Sequence, residues 1–215
     1  MSRNIWFTAD THFGHGKVIE YEERPFPDAD EMDRLLILNW NQKVGPDDLV
    51  YHLGDFAMHK KDRVRSILQE LNGTKILIRG NHDFKPTAMM NLGFDACLES
   101  AFVRIGRHDC YLSHEPFPMS APNTWMIHGH VHSKWKALPF ERKICMSVEN
   151  WQYSPVNETE LISIMDKSTN PWGGDERDEE EEQAEESSNS ERKIDPRRQG
   201  IPAEEAAWRF QRGGL

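Results

Sequence analysis

This sequence has few cysteines, no long apolar run and no excess of positive charge. Its three cysteines, Cys97, Cys110 and Cys145, show no C-x-x-C spacing, which argues against a disulfide framework and against a thiolate zinc site. No run of about eighteen apolar residues occurs, and no apolar leader follows Met1. We therefore expect a cytoplasmic protein that does not associate with membranes.

The net charge of −10 comes almost entirely from one segment near the end of the chain. Residues 175–191 contain ten acidic side chains and one base, Arg177, and so carry a net charge of −9. The remainder is close to neutral, which argues against a uniformly basic nucleic-acid-binding protein.

This change in composition divides the chain. We predict a folded domain over residues 1–168, an acidic flexible linker over 169–191 and a C-terminal tail over 192–215 that contains a short helix. One hypothesis for the last two segments is that the Glu-rich run competes with an anionic substrate, while Trp208 and Phe210 anchor a protein partner. The sequence leaves the oligomeric state open.

Three helices are predicted from their end signals. Asp28 and Glu31 form a capping box before an apolar-periodic stretch that Gly45 and Pro46 end. A second helix spans about residues 61–71 and stops at an Asn-Gly turn. The third runs from Asn157 through Met165, with Asn157 as its cap and Glu160 as the partner of the box.

Five short apolar runs each lead into a cluster of polar residues, a pattern typical of strands that end at a binding site. The runs are residues 5–7, 49–51, 76–78, 110–112 and 125–127. In α/β folds, polar residues at the carboxyl ends of strands gather at one edge of the sheet, where ligands bind. The five ends together supply two carboxylates, one amide and five imidazoles, namely Asp10, His12, Asp55, Asn81, His82, His114, His130 and His132.

The chemistry of these side chains indicates a metal site. Nitrogen and oxygen donors without thiolates suit Mn²⁺, with Fe, Zn²⁺, Ni²⁺ and Co²⁺ as alternatives, rather than Ca²⁺ or Mg²⁺ alone. Residues two apart in an extended segment face the same side, so Asp10 with His12, and His130 with His132, are expected to present ligands in pairs. About seven candidate ligands exceed the needs of one ion and suit two ions that share a carboxylate.

The order of these clusters resembles a known family. Asp10-x-His12, Gly54-Asp55, Gly80-Asn81-His82-Asp83, His114 and Gly129-His130-x-His132 look like the five blocks of the calcineurin-like metallophosphoesterase superfamily, over residues 4–165. The resemblance implies a small, uncapped α/β member with a four-layer sandwich, in which two packed mixed β-sheets are flanked by helices.

The resemblance also implies a role for each matching residue. Asp10, His12 and His132 would hold the first metal and Asn81, His114 and His130 the second, and Asp55 would bridge the two. Hydrolysis would proceed by in-line attack of a metal-bound hydroxide on phosphorus. His82 would then donate a proton to the leaving group or bind the phosphate. The chain departs from the phosphoprotein phosphatases of the superfamily at Met58, where they carry the Asp that pairs with this histidine.

The activity expected is that of a phosphodiesterase on nucleotide or nucleic-acid-type diesters, because a domain of this size has little room for a capping subdomain. A phosphomonoesterase with the same site is an alternative. A second alternative, of another class, is a catalytically silent metal-binding scaffold. The basic residues near a motif are Lys60, Lys61, Arg63 and Arg65, and a nuclease would need such groups for backbone contacts.

Overall fold

The computed structural model describes residues 3–121 and 123–169. The predicted acidic linker, apart from its first residue, and the whole predicted tail lie outside these residues. Among the described residues, no helix combines the length and the apolar character needed to cross a membrane.

The first sheet is built mainly from parallel strands in the first half of the chain. Its strands are β1 (Ile5–Thr8), β2 (Leu49–His52), β3 (Thr74–Ile78), β4 (Ala96–Leu98) and β10 (Val156–Asn157), in the order β10-β1-β2-β3-β4. Strands β1 to β4 are parallel, and β10 joins β1 in antiparallel register. The carboxyl ends of the parallel strands therefore lie along one edge.

Helices connect these strands and pack on the sheet. They are α1 (Gly16–Tyr21), α2 (Ala29–Lys43), α3 (Lys61–Glu70) and α4 (Pro86–Leu92). Each contributes buried apolar residues to a cluster that also contains Val50 and Leu77 of the sheet. The largest fully buried member of this cluster is Trp40 on α2, whose indole N–H is satisfied by the carbonyl of Asn72 at 3.0 Å.

The second sheet is mixed and uses the other half of the domain. Its strands are β5 (Ala101–Ile105), β6 (His108–Leu112), β7 (Trp125–His128), β8 (Ala137–Leu138) and β9 (Lys143–Cys145), in the order β5-β6-β7-β9-β8. Strands β6, β7 and β9 are parallel to one another. The carboxyl ends of β6 and β7 therefore lie at the same edge of this sheet, where they can meet the carboxyl ends of β1, β2 and β3.

A second apolar cluster joins the two sheets. Phe7, Leu53 and Ile78 come from the first sheet and the residues that follow its strands, and they share this cluster with Leu112 and Ile127 of the second. Helix α5 (Glu158–Thr169) adds Leu161 and Met165 to it. Two mixed sheets packed together with helices confirm the predicted fold class.

The predicted helices occur with small differences at their ends. Asp28 caps α2 by accepting a 2.9 Å hydrogen bond from the Glu31 backbone N–H, but the Glu31 carboxylate binds Arg34 instead of returning to the cap. Asn157 caps α5 through the backbone N–H of Thr159 at 3.0 Å, and this helix continues four residues past the predicted Met165.

Candidate metal centre

The polar clusters that follow five strands meet at one place between the sheets. Direct backbone hydrogen bonds join their loops: Asp10 N–H donates to the Gly54 carbonyl at 2.9 Å, and Gly129 N–H donates to the His114 carbonyl at 3.0 Å. The structure brings all eight predicted site residues into this region.

The first group consists of Asp10, His12 and His132. One ligand atom from each lies within 4.8 Å of the others, and the rings of His12 and His132 stack at a centroid distance of 5.2 Å. Asp10 Oδ1 and His12 Nε2 are buried and make no hydrogen bond. Buried polar atoms are normally satisfied, so these two unpaired atoms point to a group that binds between them.

Asp55 lies between this group and the next. Its Oδ2 atom is 3.5 Å from His12 Nε2 on one side and 3.4 Å from His114 Nε2 on the other. Its Oδ1 atom accepts a hydrogen bond from the His82 backbone N–H at 2.9 Å, which fixes the carboxylate. One oxygen therefore faces donor atoms on both sides.

The second group consists of Asn81, His114 and His130. Asn81 Oδ1 lies 2.9 Å from His114 Nε2 and 3.1 Å from His130 Nδ1, and the two ring nitrogens are 3.3 Å apart. His114 uses Nδ1 to donate to the Leu53 carbonyl at 2.8 Å, which leaves Nε2 free to face the group.

Protonation at the centre follows from burial and from these contacts. Burial raises the pKa of Asp10 to about 6 and lowers the pKa of His12 to about 3. Burial also disfavours the charge on His114, but the hydrogen bond with Asp55 and the charge of Asp10 outweigh it and raise the pKa of His114 to about 9. Asp55 is held below its ordinary pKa by His114 despite its burial. The proton on His114 thus occupies a ring nitrogen that a bound cation would need as a ligand.

The backbone at this centre is unusual. Five of the eight predicted site residues have positive φ angles in the left-handed region, a conformation that costs non-glycine residues about 1–2 kcal/mol each. They are Asp10 at 55°, His12 at 49°, Asp55 at 56°, His130 at 71° and His132 at 51°. The extended backbone expected for the two histidine-containing pairs is therefore wrong, because loop hydrogen bonds impose left-handed turns. Strain concentrated in this way is typical of functional sites.

The motif glycines allow the loops to approach closely. A Cβ atom on Gly129 would lie 2.6 Å from Asp10 Oδ2, and one on Gly80 would overlap the Asp55 carboxylate. Any side chain at either position would displace a carboxylate of the centre.

Sequence analysis missed the residues that orient the first group. Glu149 Oε1 accepts from His132 Nδ1 at 2.9 Å and from buried Arg24 at 2.6 Å, which directs His132 Nε2 towards Asp10. Ser147 donates to Asp10 Oδ2 at 2.5 Å. The signal that could have revealed Ser147 and Glu149 was a sixth apolar run, residues 144–146, leading into polar residues.

Asp83 holds two loops of the centre together through hydrogen bonds to backbone N–H groups. Its carboxylate accepts backbone N–H groups from Asp55 at 2.9 Å, Phe56 at 2.9 Å and Gly80 at 2.8 Å. These bonds tie together the loops that follow β2 and β3, so Asp83 holds Asp55 and Asn81 at their positions.

His82 lies at the solvent-facing rim, with its side chain 44% exposed and Nε2 4.0 Å from Asp55 Oδ2. Its ring packs against that of His12, with centroids 5.5 Å apart. Met58 is also exposed and supplies no carboxylate. His15 lies beside His12, with ring centroids 5.3 Å apart.

Comparison with known proteins agrees with this geometry. The profile of the calcineurin-like phosphoesterase family matches residues 3–181. The chain belongs to this family. Membership of the calcineurin-like phosphoesterases supports phosphoric ester hydrolysis as the general activity, and the donor atoms described above are candidate ligands for divalent metals.

Proteins similar to this calcineurin-like phosphoesterase come from several sources. An uncharacterized protein of Methanocaldococcus jannaschii is 33% identical over 174 residues, which cover 77% of this chain and 93% of the relative. The Gene 66 protein of Mycobacterium phage L5 is 30% identical over 164 residues, with coverages of 60% and 78%. A solved structure of a protein of unknown function from Aquifex aeolicus is 27% identical, with a TM-score of 0.63, and covers 76% of this chain and 100% of its own.

Proposed function

We propose that this chain is a phosphodiesterase that depends on two divalent metal ions and acts on nucleotide-type diesters. The observation that carries the proposal is the position of Asp55 Oδ2, which lies 3.5 Å from His12 Nε2 and 3.4 Å from His114 Nε2. One carboxylate oxygen between two imidazole nitrogens is the arrangement that a bridging ligand requires.

The donor set fits two ions. Asp10, His12 and His132 would hold the first, and the unpaired buried atoms Asp10 Oδ1 and His12 Nε2 support this assignment. The second would be held by three side chains whose donor atoms already converge, Asn81, His114 and His130. Glu149 fixes the ring of His132 and the Leu53 carbonyl fixes that of His114, as carboxylates and carbonyls do around metal-binding histidines.

Two bound ions supply an activated water and stabilise negative charge on the transferring phosphoryl group. In the proposed step a water gives up a proton to the solvent, its oxygen bonds to phosphorus, and the bond from phosphorus to the leaving oxygen breaks with its electron pair on that oxygen. His82 donates a ring proton to that oxygen, a role that its exposed position at the rim permits. Asp83 contributes by holding the loops that carry Asp55 and Asn81.

The preference for diesters is supported by the openness of the centre. His130 is exposed, and among residues 3–121 and 123–169 every strand belongs to one of the two sheets, so no further sheet caps the site. A diester has a second organic arm that needs room beside the phosphorus, and an uncapped centre provides it.

Manganese is the proposed native metal, because nitrogen and oxygen donors without thiolates suit it, although Fe, Zn²⁺, Ni²⁺ and Co²⁺ share this donor preference. A cytoplasmic location is proposed from the three cysteines, all of which are buried free thiols.

The test is hydrolysis of bis-p-nitrophenyl phosphate and p-nitrophenyl phosphate by metal-stripped protein after addition of Mn²⁺, Ni²⁺, Zn²⁺ or Mg²⁺. We expect metal-dependent turnover, faster on the diester, and a loss of at least about 1,000-fold in Asp55→Ala. His82→Ala should lose about 100-fold or more in kcat on a diester with an alkoxide leaving group, and much less on these p-nitrophenyl esters, whose stable phenolate leaves without a proton. Asp62→Ala, which removes an exposed carboxylate from α3, is the matched control and should retain activity.

Two other results would replace the proposal. Faster hydrolysis of the monoester would identify a phosphomonoesterase with the same centre. Two bound metal ions without turnover of either ester would identify the metal-binding scaffold.

A further inference from the structure

An open cleft of about 380 Å³ borders the second ligand group. Asn81 and His114 of that group are among its lining residues. Its lining also contains Tyr111 and Phe117, whose rings meet edge to face at a centroid distance of 5.6 Å. Phe117 is 42% exposed, so a large apolar ring faces solvent beside the candidate metal centre. The volume lies within the range of small-ligand sites.

The polar groups of this cleft suit an uncharged, planar ligand with N–H donors. Arg79, a cation at its wall, is held by Glu99 in a two-pronged ion pair at 2.9 and 3.1 Å. Besides Asn81 and His114, the other polar side chains are those of Ser100, Tyr111, Ser113 and Glu115, which offer hydroxyl and carboxylate oxygens. Neutralised Arg79 gives little attraction for a second phosphate, whereas oxygen acceptors match the amino and imino groups of a nucleobase.

His82 is not among the residues that line the cleft. The His82 ring packs against His12 of the first group, whereas the cleft opens from Asn81 and His114 of the second. A leaving group protonated by His82 therefore departs on the side of the first group. The cleft is left for the arm of the diester that stays bonded to phosphorus.

We infer that this cleft binds the nucleobase of the retained arm, so that the substrate is a small nucleoside phosphodiester whose base stacks on Phe117. The inference rests on the proposed function and adds to it the residues that would bind the base. Stacking of a base on an aromatic side chain is sequence-tolerant, since every base has a π face, so Phe117 selects for a base without selecting which one.

A long nucleic acid fits the described surface less well. Binding to a phosphate backbone requires unpaired Lys and Arg side chains along its path. Of the three basic residues on α3, Arg63 pairs with Glu70 at 3.3 Å and Arg65 with Asp62 at 3.1 Å, while Lys61 lies over the Phe84 ring at 5.5 Å.

The experiment compares two p-nitrophenyl diesters that share one leaving group, thymidine 5′-p-nitrophenyl phosphate and methyl p-nitrophenyl phosphate. We expect metal-loaded wild-type protein to prefer the thymidine ester by about tenfold or more in kcat/KM. Phe117→Ala should lose about tenfold on the thymidine ester and stay within about twofold on the methyl ester. Phe117→Tyr, which keeps the ring, should retain the preference.

The matched control is Phe140→Ala, which removes another exposed phenylalanine that lies outside the cleft. Thermal melting of each variant checks that it is folded. An equal effect of Phe117→Ala on both esters, or none on either, would overturn the inference.

A binding measurement separates this inference from the proposed function. Titration of the metal-loaded protein with thymidine 5′-phosphate needs no turnover, and Phe117→Ala should raise its Kd about tenfold relative to wild type. If neither ester is hydrolysed, the proposed function fails while the titration still decides whether the cleft binds a base. An unchanged Kd in Phe117→Ala would overturn the cleft assignment whatever the activity.

Discussion

The two ligand groups on either side of Asp55 differ in whether their donor and acceptor atoms have hydrogen-bond partners. In the first, Asp10 and His12 are buried, and Asp10 Oδ1 and His12 Nε2 have no hydrogen-bond partner. In the second, Asn81, His114 and His130 approach one another within hydrogen-bonding distance, and His130 is exposed to solvent. The two proposed ion sites are therefore not equivalent.

This difference in hydrogen bonding affects how strongly each group should hold an ion. Leaving a buried polar atom unpaired costs about 1–3 kcal/mol, so the first group loses more when its ion departs than the second does. The second group can close on itself, so an ion bound there would exchange with solvent more readily. We expect one tightly held ion on the side of Glu149 and one exchangeable ion on the side of the substrate cleft.

The largest effect should come from removing one imidazole from each group. His12→Ala should lower kcat/KM by about 1,000-fold or more even in excess Mn²⁺, because the remaining donors hold the first ion poorly. His130→Ala should be impaired at low Mn²⁺ but recover to within about tenfold of wild type when the metal is raised. Activity measured against free metal concentration checks both variants, and equal recovery of the two would remove the distinction between the groups.

A smaller effect should come from the carboxylate behind the first group. Glu149→Gln weakens the hydrogen bond that orients the His132 ring. It should reduce the affinity for the more tightly bound ion by about 10–100-fold and leave the affinity for the more weakly bound ion nearly unchanged. Competition with a coloured chelator measures both affinities directly.

Glu141→Gln is the control for this change, since Glu141 is an exposed carboxylate that pairs with Lys143 at 2.6 Å. Equal weakening of both ions by Glu149→Gln would mean that Glu149 supports the fold as a whole and does not position His132.

The smallest effect concerns a carboxylate outside both groups. Asp48 accepts hydrogen bonds from the Asn4 backbone at 3.0 Å, from the Trp6 indole at 2.9 Å and from the Gly45 backbone at 2.9 Å. Burial alone would raise the pKa of Asp48, but these bonds lower it below its ordinary value. Asp48→Asn should cost about 1–3 kcal/mol of unfolding free energy at pH 7 and leave kcat unchanged.

The pH dependence of this cost has a definite sign. A carboxylate whose folded-state pKa is lowered contributes stability above its unfolded pKa and loses it as the pH falls. The difference in unfolding free energy between wild type and Asp48→Asn should therefore shrink between pH 6 and pH 3 in chemical denaturation. A constant difference would show that the charge of Asp48 contributes nothing.

The sequence predicted the parts of the fold that depend on local signals. All five apolar runs form strands, and the helices signalled by Asp28 and Asn157 begin where expected. Strands such as β8, only two residues long, form because a neighbouring strand is present to pair with, and no local pattern marks them. The short helix α1 has no side-chain cap at its start and buries Val18, whereas α4 does carry local end signals, Pro86 at its first position and Gly93 at its end.

The composition of the centre was predictable, but its geometry was not. Strand ends and residue types singled out the eight side chains, yet their backbone angles depend on hydrogen bonds between loops far apart in sequence, as between Asp10 and Gly54. Glu149 acts through a contact with Arg24, 125 residues away, which no spacing rule reveals.

The left-handed backbone at Asp10, His12, Asp55, His130 and His132 also bears on how such a chain evolves. Glycine adopts this conformation without strain, and asparagine does so more readily than most residues, so replacing a ligand with either relieves strain while removing a donor. Mutations that stabilise a fold commonly reduce function when the original residue was strained for activity. A lineage released from selection for catalysis would therefore relieve this backbone strain in the metal-free protein, while giving up the stabilisation that bound metal supplies. For the metal-free chain, the route from an active centre to a silent scaffold is thus one that removes backbone strain at each replaced ligand.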